Sequence, residues 1–267
     1  MTTGPLLGSL PHGPATARLP AALARALRCL LPLRAHRFGH GDDAPAHGDD
    51  VREDVLAAVR DAARGVHGRL AHDNGVFAVE LVGATGSGKT ALVESLLDDH
   101  LATERVGVVT GDVAGSDDAD RLRARGVPVA NVTTGRDCHL DPDRLDDALD
   151  AFDLAALDVL LVENVGNVVC PADFPLGADV RAAVVSVTEG DDVVRKHPML
   201  FQAADLAVVN KVDIADAVGA DVGRMVADVE RVAPETPVVR TSAETGRGVA
   251  DLAAHLDRRR ERHGDAR

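Results

Sequence analysis

Gly83-Ala84-Thr85-Gly86-Ser87-Gly88-Lys89-Thr90 is the stretch that decides the fold. It follows the apolar run Val76–Val82 and leads into the helical pattern Lys89–Leu101. It satisfies G-x-x-x-x-G-K-[ST] at every fixed position, in the strand–turn–helix context that makes such a string a phosphate-binding loop. The glycines let backbone N–H groups turn inward around phosphate oxygens, and the helix N-terminus adds partial positive charge. Gly86, Ser87, Gly88, Lys89 and Thr90 are thus candidate nucleotide-binding residues. Lys89 would neutralise the β- and γ-phosphates, and the Thr90 hydroxyl would bind Mg²⁺.

On either side of this loop, short apolar runs alternate with helical patterns. The expected strands are Val76–Val82, Val106–Thr110, Val127–Val132, Asp158–Val162, Ala182–Val187, Leu206–Val209 and Pro237–Arg240. Between them lie the expected helices Lys89–Leu101, Ala119–Arg125, Pro142–Phe152, Asp221–Val232 and Val249–Arg260. Unbroken apolar strands fit a parallel sheet buried on both faces, so the fold class is α/β, a mostly parallel doubly wound sheet of P-loop NTPase type. Ligands bind beyond the carboxyl ends of strands in such folds. Upstream, Val51, Val55, Leu56, Val59, Val66 and Leu70 recur at three and four, predicting a helix that Asn74-Gly75 ends. Residues 1–50, rich in Gly, Pro, Ala and His, read as a disordered arm with a short helix at Pro20–Leu31; residues 51–267 read as the nucleotide-binding domain.

Composition narrows the function. The 267 residues are 45% hydrophobic but only 2% aromatic, so the core must be aliphatic. A net charge of −14 repels polyanions and argues against nucleic acid as a partner. Aspartate dominates the acids, and lysine occurs only at 89, 196 and 211. That balance resembles proteins of salt-accumulating organisms and equally fits a GC-rich genome. Cys29, Cys138 and Cys170 cannot form a disulfide framework in a chain of this size. No apolar run reaches membrane-spanning length, and the expected location is cytoplasmic, with no membrane partner.

Base choice rests on Asn210-Lys211-Val212-Asp213, directly after the run Leu206–Val209. In an N-K-x-D box the carboxylate, here Asp213, accepts from guanine N1–H and the 2-amino group, which adenine lacks. Thr241-Ser242-Ala243 resembles the second guanine-contacting loop of GTPases, making Ser242 and Ala243 further candidates. Two of the three lysines, Lys89 and Lys211, fall in the phosphate loop and the N-K-x-D box, consistent with a need for a compact ammonium there. Asp112, Asp118 and Glu163 are the candidate carboxylates for Mg²⁺ and water, with Lys89 completing the catalytic set. Glu163-Asn164-Val165-Gly166 resembles the switch motif D-x-x-G with Glu for Asp, and Asp118 is expected in a loop.

Cys138-His139 and Cys170-Pro171 stand near these switches. Thiolate and imidazole suit Ni²⁺ or Zn²⁺, and two facing half-sites in a two-fold dimer could complete coordination. On spacing alone the favoured reading is two small buried cysteines beside a surface histidine.

Thr134-Gly135-x-x-Cys138-His139-Leu140-Asp141, Glu163-Asn164-Val165-Gly166-Asn167-x-Val169-Cys170-Pro171 and Glu189-Gly190-Asp191-Asp192 together resemble the HypB family of hydrogenase maturation GTPases. The resemblance runs from about Val51 to about Leu256. It implies a SIMIBI-class GTPase that dimerises on GTP and binds Ni²⁺ or Zn²⁺ through Cys138, His139 and Cys170. It also implies action with other maturation proteins on the large-subunit precursor of a nickel–iron hydrogenase. GTP, GDP and Mg²⁺ are the implied cofactors. A Cys-x-x-Cys-Gly-Cys start and long histidine tracts, found in some members, are missing; the arm offers only His36, His40 and His47 among aspartates. Rival readings are a urease-type nickel-insertion GTPase and a non-catalytic metallochaperone clamped by nucleotide.

Overall fold

Continuous runs of Val, Leu and Ala bury both faces of a strand, and seven such runs become seven parallel strands. The computed structural model describes residues 47–112, 115–135, 139–168 and 174–265. The expected Pro20–Leu31 helix, His36, His40, Cys29, Cys138 and Cys170 lie outside the described residues. The strands are β1 Phe77–Val82, β2 Val106–Asp112, β3 Val129–Thr133, β4 Val159–Glu163, β5 Val180–Ser186, β6 Leu206–Asn210 and β7 Val238–Arg240. Their order is β3-β2-β4-β1-β5-β6-β7, and every pairing is parallel. The chain therefore winds to one side of β1 and then to the other. Crossovers of this kind leave a crevice at the carboxyl end of the central strand.

The helices are α1 His47–His67, α2 Lys89–Asp99, α3 Asp117–Arg123, α4 Pro142–Leu149, α5 Val193–Lys196, α6 Pro198–Gln202, α7 Ala215–Val218, α8 Val222–Val232 and α9 Val249–Asp265. A π-helical turn, Gly68–Asp73, extends α1 toward the sheet. Asp141 caps α4 by accepting from Arg144 N–H at 2.9 Å, with Pro142 at the first helical position, where no N–H is needed. Asp221 caps α8 through Arg224 N–H at 3.0 Å. Among the described residues no helix is long and apolar enough to cross a membrane.

Alternate strand residues feed opposite faces. Val79, Leu81, Val108, Leu161 and Val208 pack under Leu92 and Leu96 of α2 and Leu252 and Leu256 of α9. The other face carries two separate clusters. Ala78, Leu160 and Val162 lie with Val66, Leu145 and Leu149, whereas Val82, Ala183 and Val185 lie with Phe201, Met225 and Val229. Glu80 and Arg181, register partners on β1 and β5, occupy the strand positions between those clusters. Each fully buried Leu or Val contributes about 1.5–3 kcal/mol.

Several boundaries differ from the sequence expectation. Helix α1 begins at His47, one turn ahead of Val51, within the segment expected to be arm. Strand β4 runs through Glu163, so this carboxylate closes the strand instead of following it. Asp118 lies in the first turn of α3 and not in a loop; three acids there offset the positive end of the helix dipole. Helices α5, α6 and α7 were not expected, and runs of four or five residues are too short to show a periodicity.

Candidate functional site

The glycine-rich loop leaves β1 at the middle of the sheet and delivers the chain into α2. Gly88, at φ 95°, forms the N-cap in the left-handed region that favours glycine. Lys89 is only 5% exposed, and its Nζ donates to the Gly83 and Ala84 carbonyls at 3.2 and 3.1 Å. Burial holds its pKa below the ordinary lysine value, with the neighbouring Glu163 charge pulling the other way. The Ser87 hydroxyl is buried and has no hydrogen-bond partner among the described residues.

The carboxylates come from neighbouring strand ends. The Thr90 hydroxyl donates to Glu163 Oε1 at 2.8 Å, while Glu163 Oε2 is buried and unpartnered among the described residues. Burial raises the Glu163 pKa to about 7; Lys89 and the Thr90 hydrogen bond oppose that rise, and Asp118 adds to it. Asp112 ends β2, the strand paired with β4, and its carbonyl accepts from Thr134 N–H at 2.8 Å. Arg121 donates to Asp118 at 3.2 Å and to Glu94 on α2 at 2.6 Å. This brace keeps the Asp118 charge within electrostatic reach of both Lys89 and Glu163.

The segment after β4 lies against the phosphate loop. Thr85 Oγ1 donates to the Gly166 carbonyl at 3.3 Å, and Asn167 bridges Gly83. A Cβ on Gly166 would come within 2.8 Å of the Thr85 backbone nitrogen, so only glycine permits this approach. A buried lysine, a hydroxyl and a carboxylate with a free lone-pair oxygen form a donor set that fits a nucleotide phosphate with Mg²⁺.

The motifs expected to read the base join the same rim. Asn210 is 1% exposed; its amide donates to the Ser87 carbonyl at 3.0 Å and its oxygen accepts from Thr241 Oγ1 at 3.0 Å and Ala243 N–H at 3.3 Å. One side chain thus ties the phosphate loop to the Thr241-Ser242-Ala243 loop. Lys211 is the one non-glycine residue with positive φ, 62°, among the described residues, and its Nζ donates to the Gly86 carbonyl at 2.7 Å. Asp213 is exposed in the short helical turn Val212–Ile214. Ser242 is fully buried, accepting from Thr245 N–H at 3.2 Å, and Ser95 of α2 donates to the Ala243 carbonyl at 3.1 Å.

Of the expected nickel or zinc ligands, only His139 is described. It is 6% exposed, not a surface residue, and its ring stacks on Phe174 with centroids 4.6 Å apart and planes 15° from parallel. Among the described residues no group of three or more His, Cys, Asp or Glu side chains could hold a metal ion. Phe174 lies four positions after Cys170 in the chain, so the described flanks of the two cysteine-bearing segments meet at this stack.

Sequence reasoning missed Glu80 and Arg181. The signal was present: a carboxylate and a guanidinium each interrupt an otherwise apolar buried strand, a position that demands a partner. Glu189, quoted only as part of a motif, closes a capping box with Ser186.

A family model described as the nucleotide-binding domain of CobW/HypB/UreG matches residues 77–240, from β1 through β7. The chain is 43% identical over 209 residues to the probable hydrogenase maturation factor HypB of Methanocaldococcus jannaschii, covering 78% of this chain and 94% of that protein. The crystal structure of HypB from Archaeoglobus fulgidus matches with a TM-score of 0.70 at 40% identity, over 75% of this chain and 98% of that one. HypB from Helicobacter pylori in complex with nickel matches with a TM-score of 0.73 at 33% identity, over 77% and 97% of the two chains. A parallel sheet wound about a phosphate loop, together with these likenesses, shows that the chain belongs to the HypB family of hydrogenase maturation factors, within the CobW/HypB/UreG nucleotide-binding domains.

Proposed function

We propose that this protein is a GTP-hydrolysing metallochaperone that carries nickel, or zinc, and assists nickel insertion into a nickel–iron hydrogenase. The observation that carries the reading is the Thr90–Glu163 hydrogen bond, 2.8 Å, beside a lysine buried under the phosphate loop. Thr90, Asp112 and Glu163 would hold Mg²⁺, directly or through water; when bound, the ion supplies charge neutralisation at the transferred phosphoryl group. Lys89 leaves the Gly83 and Ala84 carbonyls to meet the β- and γ-phosphates, exchanging neutral acceptors for anionic ones. Asp118 orients the attacking water, held in place by Arg121. Asp213 reads guanine, while Asn210, Ser242 and Ala243 hold the loops that frame the base.

Nickel is the cargo, taken by Cys138, His139 and Cys170. Asn164, Val165 and Gly166 directly follow Glu163, so a rearrangement at Glu163 on GTP binding reaches the segment that leads to Cys170. GTP-dependent pairing of two copies would complete the coordination, and the recipient is a hydrogenase large-subunit precursor met with other maturation proteins. The likeness to HypB from Helicobacter pylori in complex with nickel supports the choice of cargo.

Phosphate release measured on the wild type and Lys89→Ala tests the catalytic half. Turnover in the wild type that vanishes in the variant supports hydrolysis. Undiminished turnover in Lys89→Ala refutes the assignment, and nucleotide binding with no turnover in either protein selects the non-catalytic clamp.

A further inference from the structure

We infer that Glu80, Asn164 and Arg181 are positioning residues that fix the His139–Phe174 stack relative to Glu163, and so relay nucleotide state to the nickel ligand His139. This rests on the nickel reading above. The three side chains are 1%, 1% and 8% exposed. They form one unbroken chain of hydrogen bonds. Asn164 Oδ1 accepts from Leu140 N–H at 2.9 Å and from Val165 N–H at 2.8 Å. Asn164 Nδ2 donates to Glu80 Oε1 at 2.7 Å, and Arg181 Nε donates to Glu80 Oε2 at 2.8 Å. Arg181 Nη2 then donates to the Phe174 carbonyl at 3.0 Å.

The two ends of this chain are loop backbone, on either side of one imidazole. Leu140 is the residue after His139, and Phe174 is the residue on which the His139 ring lies. The middle of the chain is Asn164, covalently next to Glu163, whose carboxylate holds the Thr90 hydroxyl. A displacement of Glu163 therefore pulls on both flanks of His139 at once, through bonds that are shielded from water and correspondingly stiff. Sheet cohesion does not require this ion pair. A buried Glu–Arg pair adds little over well-packed apolar residues of equal volume, and apolar clusters already lie on either side. What the pair adds is its outward hydrogen bonds to the two loops.

A charge-conserving swap tests the relay. Asn164→Asp keeps the acceptor for Leu140 but sets one carboxylate against another. Glu80→Gln in the same protein restores the contact with its direction reversed: the Gln amide donates to the Asp, its oxygen accepts from Arg181, and net charge is unchanged. The readouts are Ni²⁺ affinity by equilibrium titration in the GDP and GTP-analogue states, GDP affinity, and the melting temperature. Groups that orient metal ligands through hydrogen bonds typically change metal affinity about 10–100-fold when removed. Asn164→Asp should weaken Ni²⁺ binding by about tenfold or more and remove the difference between the two nucleotide states, with GDP affinity within about twofold of wild type. The double variant should recover most of both Ni²⁺ properties. Unchanged Ni²⁺ affinity in Asn164→Asp, or a double variant as impaired as the single, overturns the relay. Should Asn164→Asp fail to fold, Arg181→Lys decides: it retains the cation beside Glu80 but not the fork that reaches the Phe174 carbonyl. Loss of Ni²⁺ affinity in Arg181→Lys at constant GDP affinity supports the relay, and wild-type Ni²⁺ binding overturns it. A wild-type protein that takes no Ni²⁺ in either state overturns this inference and the nickel reading together, whereas normal wild-type binding with unaffected variants overturns the inference alone.

Discussion

Replacing Asn210 with alanine probes how the nucleotide rim is held together. The side chain is 1% exposed and makes three hydrogen bonds, to the Ser87 carbonyl, the Thr241 hydroxyl and Ala243 N–H. Removing it strands those groups in a dry region, and an unsatisfied buried partner costs about 1–3 kcal/mol. The Thr241 hydroxyl can rotate to a new acceptor, so the loss should total about 3 kcal/mol, not the full sum. For a domain of this size each 1 kcal/mol moves the melting temperature by about 2–4 °C, giving a fall of about 6–12 °C. GDP adds a second signature. Saturation at one hundred times the dissociation constant stabilises a wild-type site by about 2.7 kcal/mol. In Asn210→Ala that increment should shrink to under half, because the phosphate loop and the Ala243 loop are no longer tied. The assay is a melt followed by circular dichroism with and without GDP, with GDP affinity from calorimetry. A variant melting within about 2 °C of wild type, or gaining the full increment from GDP, would refute the latch.

Four further outcomes follow from the geometry. Lys89→Ala should abolish hydrolysis yet melt within about 3 °C of wild type, because the ammonium it removes is buried among neutral carbonyls and disfavoured there; turnover and a melt check both halves. Gly166→Ala should slow hydrolysis by about tenfold or more and leave GDP affinity within about threefold, since its Cβ would press on the Thr85 backbone only where the segment after β4 meets the loop; single-turnover kinetics with a GDP titration would detect the split. Asp213→Asn should lower the preference for GTP over ITP, and unchanged selectivity in competition would remove Asp213 from base reading. Hydrogen bonds from Arg105 hold the Asp158 pKa down at about 2, below its ordinary value. The pair therefore stabilises the fold above about pH 4 and loses that contribution as pH falls toward 2. Asp158→Asn should melt slightly lower than wild type at pH 7, with the gap closing below pH 4; a gap that widens in acid would contradict the sign.

The phosphate loop and the Asn210-Lys211-Val212-Asp213 turn were legible because their requirements are local. A left-handed Gly88 and a lysine at the start of α2 follow from a handful of adjacent residues. The sheet was legible because unbroken apolar runs have few other uses. Strand ends were less so: Val162 and Glu163 differ in polarity, yet the ladder with β2 and β1 continues through Glu163. The Glu80–Arg181 pair spans 101 positions, and nothing in either neighbourhood names the other. Only the parallel register of β1 and β5 makes them partners. Asn210 was legible as a member of a motif, but its three-way latch was not, since the groups it joins lie on three different loops. Cys138, Cys170 and the arm histidines His36 and His40 fall outside the described residues, and their chemistry rests on the family resemblance.

The proposed coupling between nucleotide and nickel would be reciprocal: whatever factor GTP applies to nickel affinity, nickel must apply to GTP affinity. The most direct measurement is the affinity of a non-hydrolysable GTP analogue and of GDP, each determined with and without saturating Ni²⁺. Linked sites predict that Ni²⁺ shifts the two affinities by different factors, and that Cys138→Ala abolishes the difference. Identical analogue-to-GDP ratios with and without Ni²⁺ would contradict the linkage and leave a GTPase whose metal site, if any, works alone.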